Sequence, residues 1–250
     1  MSRSICLNAD LGELPGEAGR ALDAAMLRVV TRCNVACGGH AGDDDSMRRT
    51  VEVAKKHRVQ IGAHPSYPDL EHFGRRSLTM APADLAASLE AQVRRLLEIA
   101  KSAGVPVVHL KAHGALYNDA AKEKALAKLV AGAAVKAGIH ELVGPPNSAM
   151  DTAAQAAGLR FLAEGFADRS YEPDGALTPR SVPGAVIVEG AEVLAQALSF
   201  AQSGTVTVRG GGTLRLPIQT LCLHSDTPGA ADHAAAIRTG LEAAGIEVRA

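Results

Sequence analysis

Short apolar runs of strand-forming residues alternate along the chain with longer amphipathic runs that are rich in Ala and Leu. In one amphipathic run, residues 84–103, Leu85, Leu89, Val93 and Leu96 recur at the three- and four-residue spacing of a helix. Strands and helices that alternate in this way are typical of βα units, whose strands lie parallel in one sheet. The pattern therefore predicts an α/β fold.

Seven strands and seven helices are predicted from this alternation. The strands cover residues 5–9, 33–37, 60–63, 107–111, 141–144, 160–163 and 219–223, and the helices cover residues 17–32, 44–57, 84–103, 121–137, 148–157, 191–202 and 230–244. Residues 205–216 alternate around three consecutive glycines, which predicts a β-hairpin inserted before the last strand. Because no repeat or linker interrupts the pattern, we predict one domain over residues 1–250.

The composition of the chain limits the kinds of partner that we expect it to bind. The chain has 250 residues, with 26 Lys+Arg, 27 Asp+Glu and a formal net charge of −1. Nucleic acids and anionic membranes attract clustered basic residues, which this sequence does not have. No apolar run reaches the roughly 18 residues that span a bilayer, and the start of the chain lacks the apolar core of a signal peptide. We expect a cytoplasmic protein with free thiols at its four cysteines and no nucleic-acid or membrane partner.

Polar side chains gather where the predicted strands end. Asp10 and Glu13 follow the first strand, His40 follows the second and His64 follows the third. The other polar residues at strand ends are Asn8, Tyr67, Lys111, His113, Tyr117, Asn118, Glu164, Asp168, Arg169, His224 and Asp226. The carboxyl ends of parallel strands meet at one face, where α/β folds bind their ligands. We therefore expect one site built from these residues.

A mononuclear metal site is the first chemistry that fits these residues. In this interpretation Asp10, His40 and His64, from three consecutive strands, hold a divalent ion that activates water. Ligands on separate strands leave no local signature in the sequence, so spacing alone does not establish the site.

Metal-free acid–base catalysis is the second chemistry. Asp10 or Glu13 then serves as the base, and His113 or Lys111 serves as the acid or stabilises the oxyanion. Both chemistries lead to hydrolysis, and the sequence does not choose between them.

One loop carries a pair of arginines that could bind an anion. Arg75 and Arg76 are adjacent and follow Phe73 and Gly74 after the third strand, where paired arginines suit a carboxylate or phosphate ligand or a surface ion pair. The sequence lacks the P-loop, dinucleotide-binding and nucleophile-elbow motifs. P-loop nucleotide binding, Rossmann-type dinucleotide binding and α/β-hydrolase catalysis are therefore unsupported.

Taken together, the strand-end motifs resemble those of the LamB/YcsF family. The matching segments are LNADLGE (7–13), NVACGGHAGD (34–43), IGAHPSYPDL (61–70), FGRR (73–76), KAHGALYN (111–118), EGFADRSY (164–171), DGALTPR (174–180) and CLHSD (222–226). The chain departs from the family pattern at Ala9, Gly39, Asp44, Ala112 and Ser225. None of these departures removes a titratable group at a strand end.

This resemblance implies a seven-stranded (β/α) barrel of the glycoside hydrolase/deacetylase type. It also implies a component of an ATP-dependent 5-oxoprolinase, which opens 5-oxo-L-proline to L-glutamate while ATP is cleaved to ADP and phosphate. Two partner subunits, B and C, are expected, with ATP as the co-substrate of the complex.

The resemblance also suggests roles for individual residues. Glu164, Asp168, Arg169 and Arg180 would orient the substrate carboxylate or the phosphate. The groups serving the attacking water would be Asp10, His40, His64 and His113. Two alternatives stay open: a stand-alone metal-dependent deacetylase of N-acetylated sugars, and a non-catalytic binding subunit.

Overall fold

The computed structural model describes residues 4–225 and 229–250. Its strands are β1 (Ser4–Leu11), β2 (Arg32–Ala36), β3 (Gln60–His64), β4 (Val107–Lys111), β5 (Glu141–Gly144), β6 (Arg160–Phe166), β7 (Thr205–Thr207), β8 (Thr213–Arg215), β9 (Thr220–Leu223) and β10 (Glu247–Val248). Its helices are α1 (Gly16–Met26), α2 (Asp44–His57), α3 (Pro82–Ser102), α4 (Gly114–Lys122), α5 (Lys124–Lys136), α6 (Ala149–Ala156), α7 (Gly190–Ser203) and α8 (Ala230–Ala243). Asp226, a predicted site residue, lies outside the described residues.

Seven parallel strands close into a barrel within the described part of the chain. Strands β1 to β6 pair side by side in chain order, and β9 closes the ring by pairing with both β6 and β1. The hairpin of β7 and β8 is antiparallel and precedes β9. The predicted α/β barrel and its inserted hairpin are therefore confirmed. The short strand β10, which the sequence pattern did not predict, pairs with the start of β1.

Two helix predictions were wrong in their boundaries. The first helix was predicted to reach residue 32 but ends at Met26. The backbone N–H of Thr31 already bonds to the carbonyl of Leu7 in β1, so the chain turns into β2 at Arg32. The helix predicted over residues 121–137 is two helices, α4 and α5, separated by Glu123 in an extended conformation.

Alternation along the strands separates an apolar outer layer from a polar interior. In β1, Leu7, Ala9 and Leu11 belong to the buried apolar core. Asn8 and Asp10 point the other way and bond to side chains of other barrel strands. The interior end of the barrel is consequently polar, and the strands that form the fold also carry the candidate site.

No helix within residues 4–225 and 229–250 combines the length and the apolar character that crossing a bilayer requires. The assignment of one domain to residues 1–250 stays a prediction.

Candidate active site

The carboxyl ends of six barrel strands deliver ionisable side chains to one buried cluster. Of the predicted residues, the following are 9% exposed or less: Asn8, Asp10, Glu13, His40, His64, Tyr67, Lys111, His113, Tyr117, Glu164, Asp168 and Arg169. His224, after β9, is partly buried. Charged side chains are seldom this deeply buried unless they are paired, so the contacts between them decide what the cluster does.

Lys111 lies at the centre of one half of the cluster. Its Nζ is 3.0 Å from Asp10 Oδ1, 2.9 Å from Glu164 Oε1 and 3.1 Å from Cys222 Sγ. Burial alone would lower the pKa of Lys111, but Asp10, Cys222 and Glu164 outweigh it and hold that pKa well above its usual value. Lys111 is therefore a buried ammonium ion held by two carboxylates.

Three imidazoles converge on Glu13 in the other half. Glu13 Oε1 is 2.9 Å from His40 Nε2, 3.1 Å from His113 Nδ1 and 3.7 Å from His64 Nε2. The rings of His40 and His113 stack with centroids 3.5 Å apart, and His64 meets both edge-on. Burial would raise the pKa of Glu13, but its contacts with His113 and His40 lower that pKa below its usual value. Glu13 is therefore an ionised carboxylate.

Backbone carbonyls fix the proton positions of two of these rings. His64 Nδ1 lies 2.8 Å from the carbonyl oxygen of Lys111, and His113 Nε2 lies 3.0 Å from that of Phe73. A carbonyl accepts only, so both nitrogens carry a proton. In the neutral rings, the lone pairs of His64 Nε2 and His113 Nδ1 then face each other across 3.0 Å. A positive charge is required between them, either a proton or a metal ion.

The histidines differ in their affinity for that proton. Burial lowers the pKa of His40 to about 4 and also lowers that of His113. Burial acts on His64 in the same direction, but Asp10, whose Oδ2 is 3.4 Å from His64 Nε2, outweighs it and raises the pKa of His64. With no metal bound, His64 is the ring of the cluster that holds this proton most tightly.

Among residues 4–225 and 229–250, two groups of side chains bring ligand atoms close enough to hold a metal ion. The first is Glu13 with His40, His64 and His113, and the second is Asp10 with Cys222 and His224.

The ammonium of Lys111 distinguishes the two groups. It lies 3.0 Å from Asp10 and 3.1 Å from Cys222, so the second group already contains a cation of its own. The first group contains only imidazoles and a carboxylate, which suit a divalent transition metal. Of the predicted ligands, His40 and His64 belong to this group, whereas Asp10 lies beside it.

Aromatic and acidic side chains also lie beside Lys111. His224 Nδ1 is 2.8 Å from Asp168 Oδ1, and the imidazole stacks on Phe166 with centroids 5.2 Å apart. Tyr117 also meets Phe166, edge-on at 5.9 Å. Burial, together with nearby Glu164, holds the pKa of Tyr117 well above its usual value, so its phenol stays protonated. These residues form the boundary of the Lys111 half of the site.

Arginines lie at the edge of the cluster. Arg169 is buried, and its Nε donates to the carbonyl of Ala185 at 3.1 Å. Burial lowers the pKa of Arg169 to about 10, and the positive charges of Arg180 and Arg75 act in the same direction. The guanidinium groups of Arg180 and Arg75 therefore both lie within electrostatic reach of Arg169. Arg75 also lies 5.0 Å over the ring of Phe73, which itself touches His40.

Three predicted residues make their contacts outside this cluster. Tyr67 donates from Oη to Asp119 Oδ2 at 3.1 Å. Asn118 is exposed on α4 and its amide bonds to its own helix. Arg76 is exposed, with Nη1 3.0 Å from His72 Nε2. Their contacts with a substrate stay predictions.

Sequence reasoning missed Asn34, His109, Cys222 and Phe166. All four lie within or at the end of barrel strands and face the site residues described above. The available signal was a polar residue at an inward position of an otherwise apolar strand, as with Asn34 in β2. That signal requires the strand register, which the sequence pattern alone does not supply.

Comparisons with known proteins agree with this architecture. The sequence model of the LamB/YcsF family matches residues 5–250. A relative from Methylococcus capsulatus, named as a subunit of 5-oxoprolinase, is 48% identical over 252 residues, which cover 100% of this chain and 96% of that protein. The solved structure of the lactam utilization protein from Thermus thermophilus aligns with a TM-score of 0.89 and 38% identity, covering 99% of both chains.

A more distant structure shares the barrel alone. A variant of the peptidoglycan deacetylase PdaC from Bacillus subtilis aligns with a TM-score of 0.51 and 12% identity, over 99% of this chain and 87% of that chain. Similarity of fold at this level of identity says nothing about the reaction. It does show that the two chains share a barrel fold.

Proposed function

The chain belongs to the LamB/YcsF family, and from this membership we propose that it is the barrel subunit of an ATP-dependent 5-oxoprolinase. The proposed reaction opens the lactam of 5-oxo-L-proline to L-glutamate while ATP is cleaved to ADP and phosphate. Support comes from whole-chain similarity to a protein named as a subunit of 5-oxoprolinase and to one named for lactam utilization. The word subunit in the relative's name supports assembly with partner subunits, and we propose that these are subunits B and C.

The chemistry of a lactam explains the use of ATP. The ring carbonyl is a poor electrophile because the nitrogen lone pair is delocalised into it. Transfer of the terminal phosphoryl group of ATP to the lactam oxygen gives ADP and an imidate-like phosphate. One water then opens the ring, with the nitrogen leaving as an amine, and a second water releases phosphate from the resulting acyl phosphate. The site must therefore move protons and neutralise negative oxygens.

The observation that carries the proposal is the buried convergence of Glu13 with three imidazoles beside the Asp10–Lys111 ion pair. Ionised carboxylates at Asp10 and Glu13 accept the proton of the attacking water. His64, the ring of the cluster that holds its proton most tightly, gives that proton to the departing nitrogen. The ammonium of Lys111 stabilises the negative oxygen that develops on the carbonyl.

Groups at the edge of the cluster orient the substrate in this proposal. Arg169 and Arg180 lie within electrostatic reach of each other and suit a carboxylate or a phosphate. Glu164 lies beside Lys111, and Asp168 lies beside His224. In this proposal the two carboxylates position Lys111 and His224 and accept hydrogen bonds from the substrate.

A divalent metal ion fits one part of the site. Glu13, His40, His64 and His113 would hold it, since the facing lone pairs of His64 and His113 call for a positive charge between them. When bound, such an ion polarises a ligated oxygen and lowers the pKa of water. With the ion bound, Glu13 and His64 would serve as ligands in place of their proton-transfer roles, and Asp10 and Lys111, outside this ligand set, would keep the roles given above.

The test is release of glutamate and ADP from 5-oxoproline and ATP. The purified chain is assayed alone and after addition to a lysate of a host that lacks its own copy of this subunit. We expect activity only in the mixture, because the sequence has no recognised nucleotide-binding motif and the partners complete the enzyme. No activity in either sample, with folded protein and partners present, would reject the proposal. Activity on acetylated sugars instead would favour a deacetylase.

A further inference from the structure

A chain of side-chain hydrogen bonds crosses the barrel interior beneath the site. His109 Nε2 lies 2.8 Å from Asn34 Oδ1, and Asn34 Nδ2 lies 2.8 Å from Asn8 Oδ1. Asn8 Nδ2 in turn lies 3.0 Å from Glu164 Oε1 and 2.7 Å from Thr220 Oγ1. All five side chains belong to residues that are at most 1% exposed. We call His109, Asn34 and Asn8 the amide chain.

Strand register explains how His109 reaches Asn34. Asn34 in β2 is the register partner of Gly62 in β3, and Gly62 is the partner of His109 in β4. A Cβ atom at residue 62 would lie 2.1 Å from His109 Nε2. The imidazole therefore crosses β3 through the space that a side chain at Gly62 would fill. Only glycine at this position allows the contact between β4 and β2.

The carboxylate of Asp10 fixes the direction of every bond in the amide chain. Asn34 Nδ2 lies 2.7 Å from Asp10 Oδ1, and an ionised carboxylate accepts hydrogen bonds only. The amide of Asn34 must therefore turn its NH₂ group toward Asp10 and its oxygen toward His109. His109 Nε2 then has to be the donor. Its Nδ1 has no hydrogen-bond partner within the described residues, and burial, with the charges of Arg32 and Lys111, holds its pKa well below the usual value.

Both carboxylates that hold Lys111 receive a donor from the amide chain. Asp10 Oδ1 accepts from Asn34 at 2.7 Å and from Lys111 at 3.0 Å. Glu164 Oε1 accepts from Asn8 at 3.0 Å and from Lys111 at 2.9 Å. With Oδ1 fully engaged, Asp10 presents Oδ2 toward His64. The amide chain thus determines which oxygen of Asp10 faces the reacting groups.

We propose that His109, acting through Asn34 and Asn8, is a positioning residue that fixes Asp10 and Glu164 around Lys111. The catalytic part of this inference rests on the proposed 5-oxoprolinase function. It also gives Asn8 a positioning role, because both polar atoms of its side chain are engaged within the protein. Such outer partners commonly contribute about 10- to 100-fold to activity.

The kinetic test compares two substitutions at one position in the assembled enzyme. His109→Leu removes the donor, so kcat should fall about 10- to 100-fold with KM changed less than about 3-fold, because orientation of the carboxylates matters in the transition state. His109→Gln keeps an N–H donor and should recover most of the lost kcat. Asn34→Leu should reproduce the effect of His109→Leu. A role in folding alone would lower the melting temperature of both His109 variants and leave the kcat of the folded enzyme at the wild-type value.

A second measurement stands apart from activity. Nitrogen-15 NMR of the histidine-labelled wild-type chain reports the tautomer of each ring, and the His109 signals are assigned by their loss in His109→Gln. We expect a neutral His109 with its proton on Nε2. A proton on Nδ1, or an imidazolium, at neutral pH would overturn the proposal whatever the substrate proves to be. Failure of the oxoproline assay with an Nε2–H ring would instead count against the proposed function and leave the amide chain in place.

Discussion

Lys111 keeps its charge inside the barrel because two carboxylates surround it. Moving an isolated ammonium from water to a protein interior costs several kcal/mol. Asp10 and Glu164, at 3.0 and 2.9 Å, offset that cost, and each carboxylate is itself held by an amide donor. Removing one partner leaves an uncompensated charge, so the residues of this ion cluster depend on one another.

Asp10 and His64 provide the most direct test of the hydrolytic roles. Replacing either by Ala should lower turnover of the assembled enzyme at least about 100-fold, since Asp10 takes a proton from the attacking water and His64 gives one to the departing nitrogen. Glu98→Gln is a suitable control because Glu98 is exposed on α3 and makes no side-chain ion pair among the described residues. Turnover near the wild-type rate in either Ala variant would contradict the assignment.

Asp23, which lies outside the site, should make the stability of the folded protein depend on pH. Burial raises its pKa from 3.8 to about 6, although the backbone N–H of Gly12 donates to it at 3.0 Å. The folded protein therefore binds this proton more tightly than the unfolded chain, and stability is lost as the pH rises through that interval.

Asp23→Asn removes this ionisation and keeps an oxygen for Gly12. At pH 7.5 the variant should be more stable than the wild type by about 1 kcal/mol, a value reduced from the full shift because the site is partly solvated. The advantage should disappear near pH 4, where Asp23 is protonated in the folded protein. Urea denaturation at both pH values measures the difference. An advantage of equal size at both pH values would show that ionisation is not its cause.

At the scale of elements, one loop and one helix close the site. The backbone N–H of Ala115 in α4 bonds to the carbonyl of Gly74 at 2.9 Å, and that of His113 bonds to Pro65 at 2.9 Å. Gly114 lies at the same contact with a φ of +60°, and a Cβ there would lie 2.4 Å from the oxygen of Gly74. The start of α4 and the loop after β3 are therefore in direct backbone contact.

Gly114→Ala should consequently destabilise the protein by more than its backbone conformation explains. Gly138→Ala is the matched control, since Gly138 has a φ of +68° and open space around it. The control should cost about 1–2 kcal/mol from the left-handed conformation alone. The clash in Gly114→Ala should add about 2 kcal/mol more, which lowers the melting temperature by roughly a further 4–8 °C. Equal melting temperatures for the two variants would show that the loop moves away from α4 without cost.

The sequence predicted the strands better than the helix boundaries, for a physical reason. Each strand is a short apolar run that pairs with neighbours on both sides, so its burial is visible in its composition. The end of α1 and the break at Glu123 between α4 and α5 depend on tertiary contacts, such as the bond from Thr31 to Leu7. The local pattern of apolar and polar residues does not indicate such contacts.

At the scale of the whole molecule, the barrel brings together residues that are far apart in the chain. Asp10, Lys111 and Glu164 belong to β1, β4 and β6 and meet only because the sheet closes. Membership of the strand-end cluster could be predicted from the sequence, because parallel strands place their carboxyl ends at one face. The division of the cluster into a lysine half and a histidine half could not be predicted from the sequence. It depends on the register of the strands and on the rotamers of the side chains.

We expect metal binding to depend on the histidine half of the cluster and not on the lysine half. If Glu13, His40, His64 and His113 form the metal site, Glu13→Gln and His113→Ala should abolish stoichiometric binding of a divalent ion to the chain, and Asp10→Asn should retain it. Asp10 lies against Lys111, outside the ligand group. Calorimetric titration of each chelator-treated variant with zinc measures this. Loss of binding in Asp10→Asn alone would restore the ligand set predicted from the sequence. No binding by the wild type would leave the proton on His64 as the positive charge.

Catalysis by Glu13 within the assembled enzyme is the central claim, and one substitution tests it most directly. Glu13→Gln keeps the shape of the side chain and removes its charge, with Glu98→Gln as the control for the same chemical change at the surface. Each chain is added to the lysate of the host without its own copy, and glutamate release from 5-oxoproline and ATP is measured. Our account predicts wild-type release with Glu98→Gln and a loss of at least about 100-fold, the measure of a missing general base, with Glu13→Gln. Full glutamate release with Glu13→Gln would contradict it.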